Sequence, residues 1–133
     1  MSHKHSLVPF ASKTRMRRVD ELKIEGRAAR QHKPAQISAI AASIKQFGFL
    51  EPVLIDEKDA VIVGKGRLLA ARELGLAEIP TMQIDHLSAG EKRAYRIASN
   101  RLCEIAGYDK AELALEFKEL SALDLEFSLE ITG

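Results

Sequence analysis

Two glycines and two cations stand together at Gly64-Lys65-Gly66-Arg67, directly behind the β-branched run Val61-Ile62-Val63. That grouping suits the binding of an anion. Glycines let successive backbone N–H groups point into one concavity, and a helix starting there adds about half a positive charge. Lys65 brings a point charge, and Arg67 a planar fork that can grip a phosphate through two parallel hydrogen bonds. A tight turn with two solvated charges uses the same residues, because Gly-x-Gly alone is weak. The strand before it and the helical run after it favour the anion site. Carboxylates are the other candidates. A nuclease needs them to hold a metal at the scissile phosphate, and Glu51, Asp56 and Asp85 flank the expected cleft. None shows metal-binding spacing, and turn-forming or solvated roles explain them equally well. A phosphotransferase needs an acid near the turn, which makes Glu51, just before Pro52, the catalytic candidate.

The elements that must position these groups follow from periodicity. Pro34 suits the first turn of a helix, Ile37, Ile40, Ala41, Ile44 and Phe47 repeat at helical spacing, and Gly48 ends it. Pro52-Val53-Leu54-Ile55-Asp56 reads as a strand, Glu57-Lys58-Asp59 as a polar turn, and residues 60–63 as the returning strand of a hairpin. After the glycine turn, Ala70, Ala71 and Leu74 share one face of a helix that stops at Gly75. The small alanines let it lie close to a sheet, and this helix together with the one over Ile37–Phe47 is expected to cover one sheet made of the strands Val53–Ile55, Ala60–Val63 and Thr81–Ile84. Residues 79–84 alternate apolar and polar, and Pro80 predicts an edge strand or a strand start. Ser88-Ala89-Gly90-Glu91 is a capping box, followed by the apolar stripe Ala94, Ile97, Ala98, Leu102 and Ile105. A last helix carries Leu113, Phe117, Leu120 and Leu123 on its expected core face. Upstream, a short strand is expected within Arg18–Ile24, and residues 1–18 read as an arm.

Composition bounds the rest. The 133 residues, 46% of them hydrophobic, suffice for one core. Twenty Lys and Arg against 19 Asp and Glu argue against nucleic-acid binding through overall charge, though not against a local patch. No apolar run is long enough for a membrane span, and no stretch reads as a secretory h-region. The single cysteine, Cys103, makes no internal disulfide, which suits a cytoplasmic setting; beside the apolar stripe it reads as a packing group rather than a nucleophile. His3 and His5 have no zinc-spaced partner, and no metal site is expected. Lys4, Lys13, Arg15, Arg17 and Arg18 make the first 18 residues basic, whereas residues 109–130 are mainly acidic. Short basic starts are more often solvated than bound to nucleic acid.

Several words occur in a telling order: Ser43-Ile44 with Phe47-Gly48-Phe49, Pro52-Val53-Leu54-Ile55-Asp56, Gly64-Lys65-Gly66-Arg67-Leu68-Leu69-Ala70-Ala71, Leu74-Gly75-Leu76, Ile79-Pro80 and Ala98-Ser99-Asn100-Arg101-Leu102. The series resembles the ParB/sulfiredoxin superfamily, in particular the ParB-like nuclease domain of phage and mobile-element proteins, which often precedes a DNA methyltransferase. The resemblance implies an α/β (α+β) fold with a small mixed sheet and packed helices over residues 19–124, with a helical C-terminal part, whereas residues 125–133 alternate only weakly and read as the start of a linker or further domain. It also implies phosphate binding at Gly64, Lys65, Gly66 and Arg67, with Ser99 and Asn100 matching a second motif and Arg30 a basic position near the same cleft. The implied ligand is a nucleotide such as CTP, ATP or ADP, with or without Mg²⁺. The implied partners are DNA, through a longer protein, and a second copy in a homodimer.

The departures narrow this. ParB partition proteins carry Gly-Glu-Arg-Arg at the turn, so here Lys65 and Gly66 replace the acid and the first arginine, which places CTP hydrolysis of that type in doubt. Methylase-linked relatives carry Gly-His-Gly-Arg and Asp-Asn-Arg, where this chain has Lys65 and Ser99-Asn100-Arg101. Sulfiredoxins carry a reactive cysteine in the turn, and none stands here, which argues against reductase activity. Three expectations follow. The first is a nucleotide- or phosphate-binding domain of a DNA-handling protein. The second is a nuclease or phosphotransferase. The third is a DNA-binding module in which Arg15, Arg17 and Arg18, with Arg27 and Arg30, contact the DNA backbone without reading sequence.

Overall fold

The computed structural model describes residues 13–25, 33–105 and 110–123. Four strands, β1 (Arg15–Arg18), β2 (Val53–Ile55), β3 (Val61–Val63) and β4 (Glu78–Gln83), form one sheet in the order β1-β4-β2-β3. β1 and β4 are antiparallel, β4 and β2 parallel, and β2 and β3 antiparallel, so the sheet is mixed. Four helices accompany it: α1 (Pro34–Phe47), α2 (Lys65–Leu74), α3 (Ala89–Ile105) and α4 (Lys110–Ser121). Among the described residues no helix is long and apolar enough to cross a membrane.

The hairpin forms as its sequence predicts. The Asp56 carboxylate accepts from the backbone N–H groups of Lys58 and Ala60 at 2.8 and 2.9 Å, and Asp59 takes a positive φ of 66°. This carboxylate-to-backbone bonding is the reason aspartate favours turns. α2 then returns across the sheet, and Leu68, Ala70 and Ala71 are fully buried, which fits their apolar spacing. Its end is closed by Gly75 at φ 74°, with the Leu76 N–H bonded to the Ala71 carbonyl and the Gly75 N–H to that of Arg72. This double closure satisfies carbonyls that the helix leaves unpaired. Val53, Ile55, Val61, Leu68, Ala71 and Ile79 make the core with Val19 and Leu22.

Five expectations need correction. Arg15–Arg18, the last four residues of the expected arm, are strand β1, paired from Arg15 opposite Thr81 to Arg18 opposite Glu78. Backbone pairing along an open strand drives this, and the polar sequence gives no alternation to announce it. The strand expected at Arg18–Ile24 is instead a 3-10 turn at Val19–Glu21, followed by a single bridge from Lys23 to Ala60. β4 is an interior strand despite Pro80. β2 joins β4 only from Thr81 onward, so the missing proline N–H falls outside that ladder. α1 packs chiefly against α2 rather than over the strands. Finally, α3 does not bury its apolar stripe. Ile97 and Leu102 are 68% and 64% exposed, and the helix meets the domain through Lys92 and Arg96. On α4, Phe117 and Leu120 are half-buried, and Leu123, just past its end, is exposed; the side chains of Cys103, Ile105 and Leu113 lie outside the described set.

Candidate functional site

β3 runs into Gly64, which holds φ 107° and ψ 21°, the left-handed region. A Cβ at this position would come within 3.2 Å of a Val53 methyl and 3.3 Å of the Val53 Cα. Glycine is therefore required twice, for its backbone angle and for the close approach of β2. The first helical bond of α2 runs from the Leu68 N–H to the Gly64 carbonyl at 3.1 Å. The N–H groups of Lys65, Gly66 and Arg67 precede that bond and have no partner within the helix.

The two cations of the turn are held differently. Lys65, the first residue of α2, is only 9% exposed, and no carboxylate or carbonyl among the described residues pairs with its ammonium. Burial, and then the charge of Arg96, push its pKa down. Arg67 donates to the Pro52 carbonyl at 3.2 Å and to the Glu51 carboxylate at 2.5 Å. A guanidinium has more N–H donors than these two bonds use. Glu51 is mostly exposed and faces Arg67, which ties α2 to the start of β2.

α3 supplies the wall beyond β3. The Arg96 Nε donates to the Ile62 carbonyl at 2.9 Å and one terminal nitrogen to the Val61 carbonyl at 3.0 Å. One turn earlier, Lys92 reaches Asp56 and Glu57, both at 3.1 Å. Burial works to raise the Asp56 carboxyl, but the Ala60 and Lys58 N–H groups and the Lys92 ammonium outweigh it and hold it below its ordinary value. The sequence reading missed Arg96 and Lys92 as site-building residues. Their i, i+4 spacing behind a capping box was visible, but the carbonyls and carboxylates they meet are about 35 residues upstream.

The other expected residues are scattered. Ser99 is half-buried and Asn100 exposed on α3, and neither makes a hydrogen bond to the turn among the described residues. Arg27 and Arg30 lie outside the described residues. Asp56 is committed to the hairpin, and Asp85 accepts from Gln83, so with Glu51 on Arg67 the three carboxylates do not converge. The three arginines of β1 also separate. Arg17 is held by Asp59 at 2.8 Å and Glu21 at 3.1 Å, and Arg18 by Asp20 at 2.9 Å. Arg15 is exposed, and with Lys13 and Arg17 it borders a shallow cavity of about 210 Å³ on the sheet face beside Thr81 and Gln83. That cavity is not at the glycine turn.

The model of the ParB N-terminal domain matches residues 10–101. The ParB-like nuclease domain-containing protein YnaK of Escherichia coli (strain K12) is 39% identical over 77 residues, which cover 58% of this chain and 88% of that protein. A probable plasmid-partitioning protein ParB of Thermus thermophilus is 34% identical over 85 residues, covering 62% of this chain but only 28% of the relative. Among solved structures, the C-terminally truncated chromosome-partitioning protein ParB of Caulobacter crescentus, complexed with CTP-gamma-S, aligns with a TM-score of 0.69 at 21% identity, over 84% of this chain and 64% of that one. Sulfiredoxin from Arabidopsis thaliana aligns with a TM-score of 0.50 at 16% identity, over 65% of this chain and 98% of its own. The mixed sheet and its helices thus have the ParB/sulfiredoxin-like fold, and by the match over residues 10–101 the chain belongs to the ParB N-terminal domain family.

Proposed function

We propose that this chain is a nucleotide-binding domain of a DNA-associated protein, and that it takes the phosphates of its ligand at Gly64, Lys65, Gly66 and Arg67. The observation that carries the reading is Gly64, whose left-handed backbone against Val53 turns β3 into a helix start flanked by two cations. The complex of the Caulobacter relative with CTP-gamma-S makes a nucleoside triphosphate the ligand class to try first. In this reading Glu51 positions Arg67 in the free protein, and the guanidinium turns its remaining donors to the phosphates. The resemblance adds Ser99, Asn100 and Arg30 as further candidates for contact with the same ligand.

Titration calorimetry with CTP, ATP, ADP and GTP tests this. Arg67→Ala should weaken binding by roughly 1.5–3 kcal/mol, the scale of a hydrogen bond to a charged group, and Arg67→Lys should recover part of it. Unchanged affinity together with a lowered melting temperature means that Arg67 only fastens Glu51 and Pro52.

A second reading, contact with a nucleic-acid backbone, is favoured by one observation. Arg15 is exposed beside Lys13 and carries no acidic partner among the described residues. The relative from Caulobacter has also been solved complexed to the centromeric parS site. Such contacts would add to nucleotide binding, not replace it.

A further inference from the structure

The strand order puts β1 and β3 at opposite edges of the sheet, so the cavity beside β1 is separate from the turn that β3 enters. Its volume of about 210 Å³ is below the roughly 300–1,000 Å³ of pockets that enclose a drug-sized ligand. It has room for one compact unit of a larger ligand. Two kinds of chemistry line it. Lys13, Arg15 and Arg17 come from β1 and the chain entering it, at alternate positions. Arg17 is neutralised by Asp59 and Glu21, whereas Lys13 and Arg15 are exposed and pair with no acid among the described residues. Thr81, Gln83 and Asp85 come from β4 and the chain leaving it. Thr81 stands opposite Arg15 in the ladder, and its hydroxyl donates to the Arg15 carbonyl at 2.8 Å, which fixes the arginine's backbone at the cavity. The Gln83 Nε2 donates to Asp85 at 2.7 Å, which leaves the Gln83 carbonyl oxygen and the second Asp85 oxygen as acceptors.

This lining does not suit a simple ion. Asp85 repels a phosphate that comes alone, and Lys13 and Arg15 repel a cation that comes alone. The lining calls for an anion and an N–H donor carried by one ligand. A small zwitterion needs only one cation, but here two unpaired cations stand two residues apart along an open sheet edge, which suits consecutive phosphates of a chain. A nucleic-acid strand carries both groups, since the amino groups of cytosine and adenine donate to carboxylate and amide oxygens. In a duplex the bases are stacked and cannot enter a cavity, whereas an unpaired base can be splayed out into one.

We propose that this cavity takes one unpaired nucleotide of a single strand, with the strand's phosphates on Lys13 and Arg15 and the amino edge of the base on Gln83 and Asp85. The inference rests on the reading of backbone contact at Arg15 given above and specifies the form of strand that is taken.

The test is fluorescence anisotropy on the whole chain at low salt, with labelled oligo-dC, an abasic strand of equal length and a duplex of equal length. Oligo-dC should bind tightest of the three, about tenfold better than the abasic strand, the scale of one hydrogen bond to a charged group. Arg15→Ala should weaken oligo-dC binding and lower its salt slope by roughly 0.7, the single-strand value for one phosphate contact. Asp85→Ala should remove the preference for oligo-dC over the abasic strand. Both residues are exposed, so the melting temperature should stay level in both variants.

A duplex or an abasic strand bound as tightly as oligo-dC overturns the proposal and leaves the backbone-contact reading standing. Asp85→Ala that keeps the oligo-dC preference, or strengthens every strand alike, overturns it too, because the carboxylate then makes no contact with the base. Binding of no strand, or oligo-dC binding that Arg15→Ala leaves unchanged, overturns the backbone-contact reading and this proposal together.

Discussion

Arg96 on α3 caps the Ile62 carbonyl of β3 at 2.9 Å, and through that bond the third helix is fastened to the strand that enters the glycine turn. The apolar side of α3 contributes little to this attachment, since Ile97 and Leu102 are largely exposed. A polar clasp made by Arg96 and Lys92 does the fastening. Arg96→Ala should therefore leave the sheet folded but release α3. Hydrogen-exchange mass spectrometry should find faster exchange in peptides of α3, with a stability loss of about 1–3 kcal/mol for the two carbonyls left unpaired. Unchanged α3 protection would show that other contacts hold the helix.

Asp56 is the acid most deeply involved in the fold. Asp56→Ala removes the acceptor of the Lys58 and Ala60 N–H groups and leaves Lys92 with Glu57 alone. The expected cost is about 1–3 kcal/mol, read by urea denaturation.

The same residue predicts an acid limb in stability. Its folded pKa lies below the ordinary value, so its contribution is present above the unfolded pKa of about 3.9 and is lost as pH falls through the folded one. The gap between wild type and Asp56→Asn should be wide near neutrality and should narrow on acidification below that value. A gap that does not change with pH would assign the effect to packing.

Gly64 and Gly75 both hold positive φ, yet they should respond differently to alanine. Gly75→Ala meets no atom within 4 Å and carries only the left-handed penalty, about 1–2 kcal/mol. Gly64→Ala carries the same penalty and also drives a methyl toward the Val53 Cα at 3.3 Å, so its loss in thermal denaturation should be larger. Equal losses would mean that β2 yields easily.

The arginines of β1 should separate in function. Arg15→Ala should leave stability nearly untouched. If the sheet face meets DNA, it should lower the slope of log affinity against log salt by about 1. Arg17→Ala breaks the pairs with Asp59 and Glu21 and should lower the melting temperature instead. An unchanged salt slope in Arg15→Ala removes the nucleic-acid reading for that residue.

The sequence by itself determined the elements whose signals are local. Pro34 and Gly48 bound α1, Gly64 and Gly75 bound α2, and Ser88 and Glu91 exchange the two bonds of their capping box. The hairpin and the family resemblance were legible for the same reason, because turn chemistry and short motifs are carried by neighbouring residues. Pairing across the chain was decided by the tertiary structure. Arg15-Met16-Arg17-Arg18 has no strand pattern, and it becomes β1 only because β4 offers a backbone to pair with. Pro80 predicts an edge or a strand start; it does stand near the start of β4, but the strand lies inside the sheet because β2 begins its ladder at Thr81. The stripe on α3 predicts burial, but Lys92 and Arg96 face the domain because the carbonyls and carboxylates they bond stand on the hairpin and on β3. At the turn, residue types announced an anion site. Only the packing of β2, α2 and α3 decided that Arg67 leans on Glu51 while the stem of Lys65 is buried. Spacing along a chain cannot report which charges long-range contacts will pair.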